Sequence, residues 1–283
     1  MKKIAFLFQI SLLFTSTFSI SAEQTASFIG KGLALEKQGI YQKALVNYLK
    51  GAEDGSNNGY ILAGNLYFNG KIEPQDNSKA FHLYKKAAEI GLKDGQYLVG
   101  LMYQVGLGIP KDSEMALHWL LKSAGQQYKQ AEYEVAIMYI DGLDVKQDVT
   151  KGLHWLEQAV SHQSEEAQYM LAGMYAVGEH VDKNLEKAYK LYLASAQNGN
   201  FYGEFAVAVC FDFGDGVSVD KRKAFEWYKK SAEQGYPQAE YNLGVMYYRG
   251  EGVEKNIKQA RFWIEKAALD GSNDAITAWE KIQ

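Results

Sequence analysis

Residues 239–271 read AEYNLGVMYYRGEGVEKNIKQARFWIEKAALDG, and this stretch decides the fold because its pattern recurs along the chain. Six copies follow one another at intervals of 36 residues, without an insertion or deletion. A period of this length is typical of a solenoid, in which each repeat buries its apolar face only against its neighbours. One aromatic and one glycine mark every copy: Tyr67, Tyr103, Tyr139, Tyr175, Phe211 and Tyr247, then Gly70, Gly106, Gly142, Gly178, Gly214 and Gly250.

The first half of each copy predicts a helix. Ala239, Leu243 and Met246 recur at helical spacing and form one apolar stripe, which ends at Gly250. A Gly-x-Gly-hydrophobic turn follows at 250–253, and the same turn occurs at 106–109 and 214–217. Glycine supplies the backbone freedom that a tight turn between two helices requires.

The second half of each copy predicts another helix, which begins at an Asp or Asn and ends before a position such as Gly271. Asp and Asn side chains accept hydrogen bonds from the free N–H groups at the start of a helix. Small residues at Ala260 and Ala267 let the two helices approach closely. Trp263 lies on the same stripe, so Trp155 and Trp227, which share its position, are predicted to be buried. The capping residues are Asp76, Asp112, Asp148, Asn184, Asp220 and Asn256.

The string from Ala239 to Tyr247, the Gly-x-Gly-Val turn, and the later Ala260, Trp263 and Ala267-Ala268-x-x-Gly271 together resemble the Sel-one-like repeat. This helix-turn-helix unit is related to the tetratricopeptide repeat, and the resemblance covers about Gly59 to Gly271. It implies an all-α fold, a right-handed superhelical α-solenoid. It also implies a scaffold that binds another protein in its concave groove, without catalytic residues and without a cofactor.

Both ends of the chain depart from the pattern. Residues 1–22 have the layout of a secretory signal peptide, with Lys2 and Lys3 before an apolar run and a Ser/Thr-rich stretch ending at Ala22. The run is too short to span a bilayer. We therefore expect a mature chain that starts at Glu23, is periplasmic or secreted, and is not inserted in a membrane. Residues 23–57 are predicted as an atypical capping repeat, 58–271 as six repeats, and 272–283 as a capping helix.

The charge balance limits the kind of partner. The chain has 30 Lys and Arg against 34 Asp and Glu, and removal of Lys2 and Lys3 leaves 28 against 34, a net charge of −6. A mildly acidic surface without a basic cluster argues against nucleic acid. The sequence thus predicts a monomer that binds a protein or a peptide.

The partner-binding residues are predicted from first-helix positions that vary between repeats. By resemblance to tetratricopeptide arrays, the first helices line the concave surface. A floor of aromatic, apolar and charged groups suits a protein loop, because aromatic and Arg anchors dominate affinity in interfaces. The predicted site comprises Gln104, Ile140, Asp141, Asp212, Phe213, Tyr248 and Arg249.

Histidines form one unexpected column, since His82, His118 and His154 share a position in successive repeats. Neighbouring helices lie about 8–10 Å apart, whereas zinc ligands lie about 2.1 Å from the metal, so we predict no metal site. Cys210, the single cysteine, falls on an inward column and is predicted to fill the core as a small apolar group.

Three functions from different classes stay open. The first is an envelope adaptor or regulator that binds a partner protein. The second, which the resemblance to exported arrays implies, is an immunity or inhibitor protein that occludes a toxin delivered to the periplasm. The third is an enzyme acting on cell-wall or β-lactam compounds, as proposed for cysteine-rich relatives. The sequence shows no recognisable nucleophile motif, and it favours the third least.

Overall fold

The computed structural model describes residues 27–72, 74–142 and 145–282, which form helices and no strand. The predicted signal peptide over residues 1–22 lies outside this part of the chain. The protein consists of two compact units, and the boundary between them lies between Gly152 and Leu153. Within each unit, consecutive helices pack against each other. The all-α architecture of helix pairs is therefore confirmed.

The first unit contains the extra N-terminal pair and the first repeats, and the boundary falls inside its last helix. Its helices are α1 (Phe28–Lys37), α2 (Tyr41–Glu53), α3 (Gly59–Phe68), α4 (Asn77–Glu89), α5 (Lys93–Val105), α6 (Ser113–Ala124), α7 (Lys129–Asp141) and the start of α8 (Val149–Ser161).

The second unit contains the last three repeats and a final helix. Here α9 also contacts α11 directly, so the first helices of successive repeats meet on one face. The helices are α9 (Glu165–Val177), α10 (Leu185–Gln197), α11 (Phe201–Phe213), α12 (Lys221–Glu233), α13 (Pro237–Arg249), α14 (Ile257–Leu269) and α15 (Asn273–Ile282).

The predicted caps start the second helices. In each of the six positions a side-chain oxygen accepts from the backbone N–H three residues later, at 2.9 to 3.1 Å. These bonds favour the charged form, and they lower the pKa of the carboxyls of Asp76, Asp148 and Asp220. The Asp and Asn column therefore fixes where the second helices begin.

The two glycines of the turn have different tasks. Gly250 takes a left-handed conformation (φ +74°) and ends α13, with its N–H bonded to the Met246 carbonyl. Gly252 also has a positive φ, but its packing is the stronger constraint. A Cβ there would lie 2.1 Å from the carbonyl oxygen of Lys221 on the preceding repeat. The second glycine, present at Gly108, Gly216 and Gly252, thus brings its turn against the repeat before it.

The most buried column of the second helices lies one residue beyond the predicted tryptophans. Tyr228 is 1% exposed and packs in the core of the second unit. Trp155 and Trp227 are only half-buried, so the prediction that they are buried is wrong. Trp227 packs against this core without entering it, and Lys230 Nζ lies 3.8 Å from its ring centroid. The equivalents of Tyr228 that are also nearly inaccessible are Tyr48, Tyr84, Leu120 and Leu156.

Candidate functional site

The predicted residues of the first unit do not form a single open surface. Ile140 is 4% exposed and packs over Gly152, where a Cβ would lie 2.4 Å from the Ile140 Cγ1. Gln104 is half-buried, and Asp141 is exposed at the end of α7. Ile140 is therefore part of the core.

The predicted residues of the second unit do come together, at the C-terminal ends of α11 and α13. Phe213 is 69% exposed and Tyr248 is 49% exposed, which is unusual for large aromatic side chains. Arg249 Nη1 lies 3.7 Å from Glu251 Oε1, and Lys221 Nζ lies 4.0 Å from Glu251 Oε2. We call these five residues, Phe213, Lys221, Tyr248, Arg249 and Glu251, the C-terminal patch.

Asp212 supports this patch from beneath. Its Oδ1 accepts from Lys221 Nζ at 2.5 Å, and its Oδ2 accepts from the Tyr228 hydroxyl at 3.3 Å. The Asp212 side chain is only 16% exposed. It holds Lys221 so that the ammonium lies 5.8 Å from the Phe213 ring centroid. The sequence did not predict Lys221 and Glu251 as site residues, because candidates were sought only in the first helices, and these two residues lie at the start of α12 and in the turn after α13.

A cleft of about 330 Å³ lies between α9, α10 and α11. Tyr169, Tyr192 and Phe205 form its aromatic walls, and Ala176 lies among them. None of these four was predicted as a site residue. The signal that would have found the cleft is a loss of side-chain volume at one repeat, which a search for charged and aromatic groups overlooks.

The three histidines of this column each contact their own neighbours and do not form a common metal site. His82 Nδ1 lies 2.7 Å from the Ser78 carbonyl oxygen. His118 and His154 meet the rings of the adjacent Trp119 and Trp155 edge to face, with centroids 5.4 and 5.9 Å apart. Over the described ranges, no group of three or more His, Cys, Asp or Glu side chains is placed to hold a metal ion.

Cys210 is a buried free cysteine, as its column predicts. Burial raises the pKa of its thiol to about 11, so the protonated form dominates at neutral pH. The thiol lines the cleft as an apolar surface. Within the described residues, no helix combines the length and apolarity needed to cross a bilayer.

The stacked helix pairs and their turns define a helical repeat protein, and the family model narrows the class. The Sel1 repeat model matches residues 59–92, 93–128, 129–164, 165–200, 202–236 and 237–272. The chain therefore belongs to the Sel1 repeat family, as the resemblance predicted. No curated protein matches this chain.

Solved structures share this fold. A Sel1 repeat protein from Oxalobacter formigenes is 30% identical, with a TM-score of 0.79 over 85% of this chain and 99% of its own. A protective antigen of uropathogenic Escherichia coli that displays an SLR fold is 28% identical, with a TM-score of 0.74 over 84% of this chain and 51% of its own. An immunity protein from Pseudomonas aeruginosa is 19% identical, with a TM-score of 0.52 over 78% of this chain and 83% of its own, a likeness of fold alone.

Proposed function

We propose that this protein is an exported, non-catalytic scaffold that binds a partner protein through the C-terminal patch. The observation that carries the proposal is the exposure of Phe213 and Tyr248 at the ends of α11 and α13. Lys221 connects these ends, because it contacts the Phe213 ring and pairs with Glu251, which also pairs with Arg249. Aromatic and Arg side chains are the commonest anchors of protein interfaces. Sel1 repeat folds commonly bind proteins, which supports this class of function.

The ion pairs of the patch can be replaced by ion pairs with a partner. Arg249 is 61% exposed and Glu251 is 38% exposed, so their attraction is screened by water and contributes little to folding. A partner carboxylate is able to replace Glu251 as the acceptor for Arg249. Because Asp212 holds Lys221 from below, the second positive charge stays in place during this exchange.

Capture of the partner from an envelope extract tests the proposal. The wild-type chain and the variants Tyr248→Ala and Arg249→Ala are immobilised at equal density, and retained proteins are compared by mass spectrometry. Truncation of an interface anchor costs about 2 kcal/mol, or roughly thirtyfold in affinity. Lys190→Ala on α10 and Glu226→Ala on α12 are matched controls, because both side chains are exposed on second helices. Capture that depends on the controls and not on the patch would reject the proposal.

The export part of the proposal rests on residues 1–22. Mass spectrometry of the native protein should show a chain that begins at Glu23, recovered with the periplasm or the medium. A chain that retains Met1, or that is recovered with the cytoplasm, would contradict export and leave the patch to be judged by the capture experiment.

As the alternative partner we propose a toxin delivered to the periplasm. The Pseudomonas aeruginosa immunity protein has this fold, and exported immunity proteins have to block their toxins in the same compartment. Under this alternative the captured protein is a toxin, and expression of the present chain protects a cell that is exposed to it. The Tyr248→Ala variant is then expected to protect less than the Glu226→Ala variant.

A further inference from the structure

The cleft between α9, α10 and α11 exists because the fourth repeat has unusually small residues at two positions of its first helix. At the position of Gly173 the other repeats have Asn65, Leu101, Ile137, Val209 and Val245. At the position of Ala176 they have Phe68, Gln104, Ile140, Asp212 and Tyr248. A Cβ added at Gly173 would find only the Tyr192 hydroxyl oxygen within 4 Å, at 3.8 Å. The space beside α9 is therefore open in the fourth repeat.

The same two losses leave a phenol hydroxyl without its usual partner. Tyr84 donates to Asn65 Oδ1 at 2.8 Å, and Tyr228 donates to Asp212 Oδ2 at 3.3 Å. Tyr192 is their equivalent in the fourth repeat, but the positions of those two acceptors are occupied there by Gly173 and Ala176. Among the described residues, Tyr192 makes no hydrogen bond through its hydroxyl.

The state of this hydroxyl is set by its surroundings. Burial, with a smaller contribution from Tyr169, raises the pKa of Tyr192 to about 12. The phenol is therefore protonated at physiological pH and has a proton to donate. Because this hydroxyl faces the cleft and has no acceptor on the protein, it is available to donate to a ligand that supplies one.

The walls of the cleft continue into an aromatic surface. The Tyr169 ring centroid lies 5.6 Å from that of Tyr192 and 5.7 Å from that of Tyr202. Tyr202 is 43% exposed and contacts Tyr236, which in turn packs against Phe205. Tyr202 is itself an exception to its column, which elsewhere reads Asn58, Asp94, Gln130, Glu166 and Gln238.

Size and charge indicate what occupies the cleft. Its volume of about 330 Å³ is at the lower end for ligand sites, enough for one large side chain. Lys183 and Asp215, one from the turn before α10 and one from the turn after α11, are exposed and line the cleft. A peptide backbone offers a carbonyl for the lysine and an N–H for the aspartate, so the two opposite charges match a polypeptide segment.

We propose that this cleft receives a tyrosine side chain from an extended segment of the partner protein. The ring lies against Tyr169 and Phe205, its phenol oxygen accepts from the Tyr192 hydroxyl, and its flanking backbone meets Lys183 and Asp215. Tyrosine is the residue that combines an aromatic ring with an acceptor at the far end. This inference rests on the proposed function, since it names the chemistry of one contact that the partner makes.

A random peptide library displayed on phage, selected on the full-length protein, tests this contact. Enriched peptides are expected to share a tyrosine. Ala176→Ile fills the cleft with the residue found at Ile140 and should weaken the selected peptides at least tenfold. The matched control is Gln104→Ile, which places the same side chain at the same position of the second repeat. That variant should change peptide affinity by less than twofold.

A second variant keeps the test decisive if Ala176→Ile folds poorly. Gly173→Asn restores the acceptor present at Asn65 and should occupy the Tyr192 hydroxyl, again weakening the peptides. Replacing the peptide tyrosine with phenylalanine should cost about fivefold on the wild type, the worth of one neutral hydrogen bond. The same replacement should cost nothing on Tyr192→Phe.

Each contrary result has a distinct meaning. Peptides that bind Ala176→Ile and Gly173→Asn as tightly as the wild type, or a selection that enriches no peptide on the wild type over Ala176→Ile, would overturn the cleft proposal. In both cases capture that still depends on Tyr248 leaves the proposed function intact. N-acetyl-tyrosinamide that binds as tightly as the peptides would show a small-molecule cleft and reject a polypeptide segment.

Discussion

The second repeat (93–128) and the fourth repeat (165–200) follow the same template, yet the first helix of one is closed where that of the other is open. In the second repeat, Leu101 is fully buried and Gly100 lies directly against Leu120. In the fourth repeat, Gly173 and Ala176 leave the cleft beside α9. The capping residue of the second helix, Asp112 or Asn184, and the left-handed glycine that ends the first helix, Gly106 or Gly178, are common to both. The residues common to all repeats therefore determine the fold, and smaller side chains in one repeat create a site.

The largest effect is expected from two tyrosines in equivalent positions. Tyr228 is 1% exposed, so Tyr228→Ala should lower the free energy of unfolding by about 3–5 kcal/mol. Tyr192 is half-buried at the cleft, and Tyr192→Ala should cost less than about 2 kcal/mol. Urea unfolding followed by circular dichroism measures both. Equal costs would mean that the fourth repeat is closed in solution.

A pair of glycines sharpens the same comparison. A Cβ at Gly100 would lie 2.7 Å from Leu120 Cγ, so Gly100→Ala should destabilise the protein by about 1–3 kcal/mol. At Gly173 the added methyl meets nothing closer than 3.8 Å, and Gly173→Ala should stabilise the helix by about 0.5–1 kcal/mol. Thermal unfolding of the two variants is the measurement. A loss of stability in Gly173→Ala would show that α9 packs more tightly than the structure indicates.

The sequence predicted the fold well because the fold depends on residues that recur. Capping residues such as Asp112, turn glycines such as Gly250 and small residues such as Ala260 each have one physical task, repeated in every copy. The predicted burial of Trp227 was wrong because the apolar stripe is broad, and spacing alone does not say which of two adjacent aromatic residues lies at its centre.

The candidate site was only partly predictable. Phe213, Tyr248 and Arg249 are large side chains at positions that vary between repeats, and the structure brings them together with Lys221 and Glu251. Asp212 and Ile140 also vary, but one holds Lys221 and the other fills the core, roles that only packing reveals. The sequence did not predict the cleft, because Gly173 and Ala176 differ from the equivalent residues only in having smaller side chains. The unpaired Tyr192 hydroxyl was not predictable either, because it depends on contacts between helices.

A buried polar column provides a prediction about pH. Gln96 in the second repeat accepts from Gln126, and Gln168 in the fourth accepts from Asn198, at 2.8 and 3.1 Å. Glu204 occupies this position in the next repeat, and burial raises the pKa of its carboxyl above the ordinary 4.5. The charged form therefore destabilises the fold above that raised pKa, and the penalty disappears as the pH falls toward 4.5.

Glu204→Gln should remove this penalty and keep the hydrogen bond that Gln234 Nε2 donates to this side chain, so the free energy of unfolding at pH 7 should rise. The gain over the wild type should shrink as the pH is lowered toward 4.5. Urea unfolding at several pH values tests it, with Glu226→Gln on exposed surface as the control. A gain that stays constant with pH would show that Glu204 titrates normally.

The smallest effect concerns the residue that ends each second helix. Gly199 in the fourth repeat has φ +89° and no atom within 4 Å of an added Cβ, so Gly199→Ala changes only backbone strain. Left-handed backbone costs an L-residue about 1–2 kcal/mol, and Gly199→Ala should destabilise by about 1 kcal/mol.

Gln127 holds the same position in the second repeat at φ +59°. Gln127→Gly relieves that strain but gives the unfolded chain more freedom, so its gain should stay below about 1 kcal/mol. Thermal unfolding should show a lower melting temperature for Gly199→Ala and a slightly higher one for Gln127→Gly. The signs differ because, of these two positions, only Gln127 in the second repeat holds a non-glycine residue in the left-handed conformation. If Gln127→Gly is instead destabilising, contacts of the glutamine side chain outweigh the strain, and the two repeats differ at their ends as well as at the cleft.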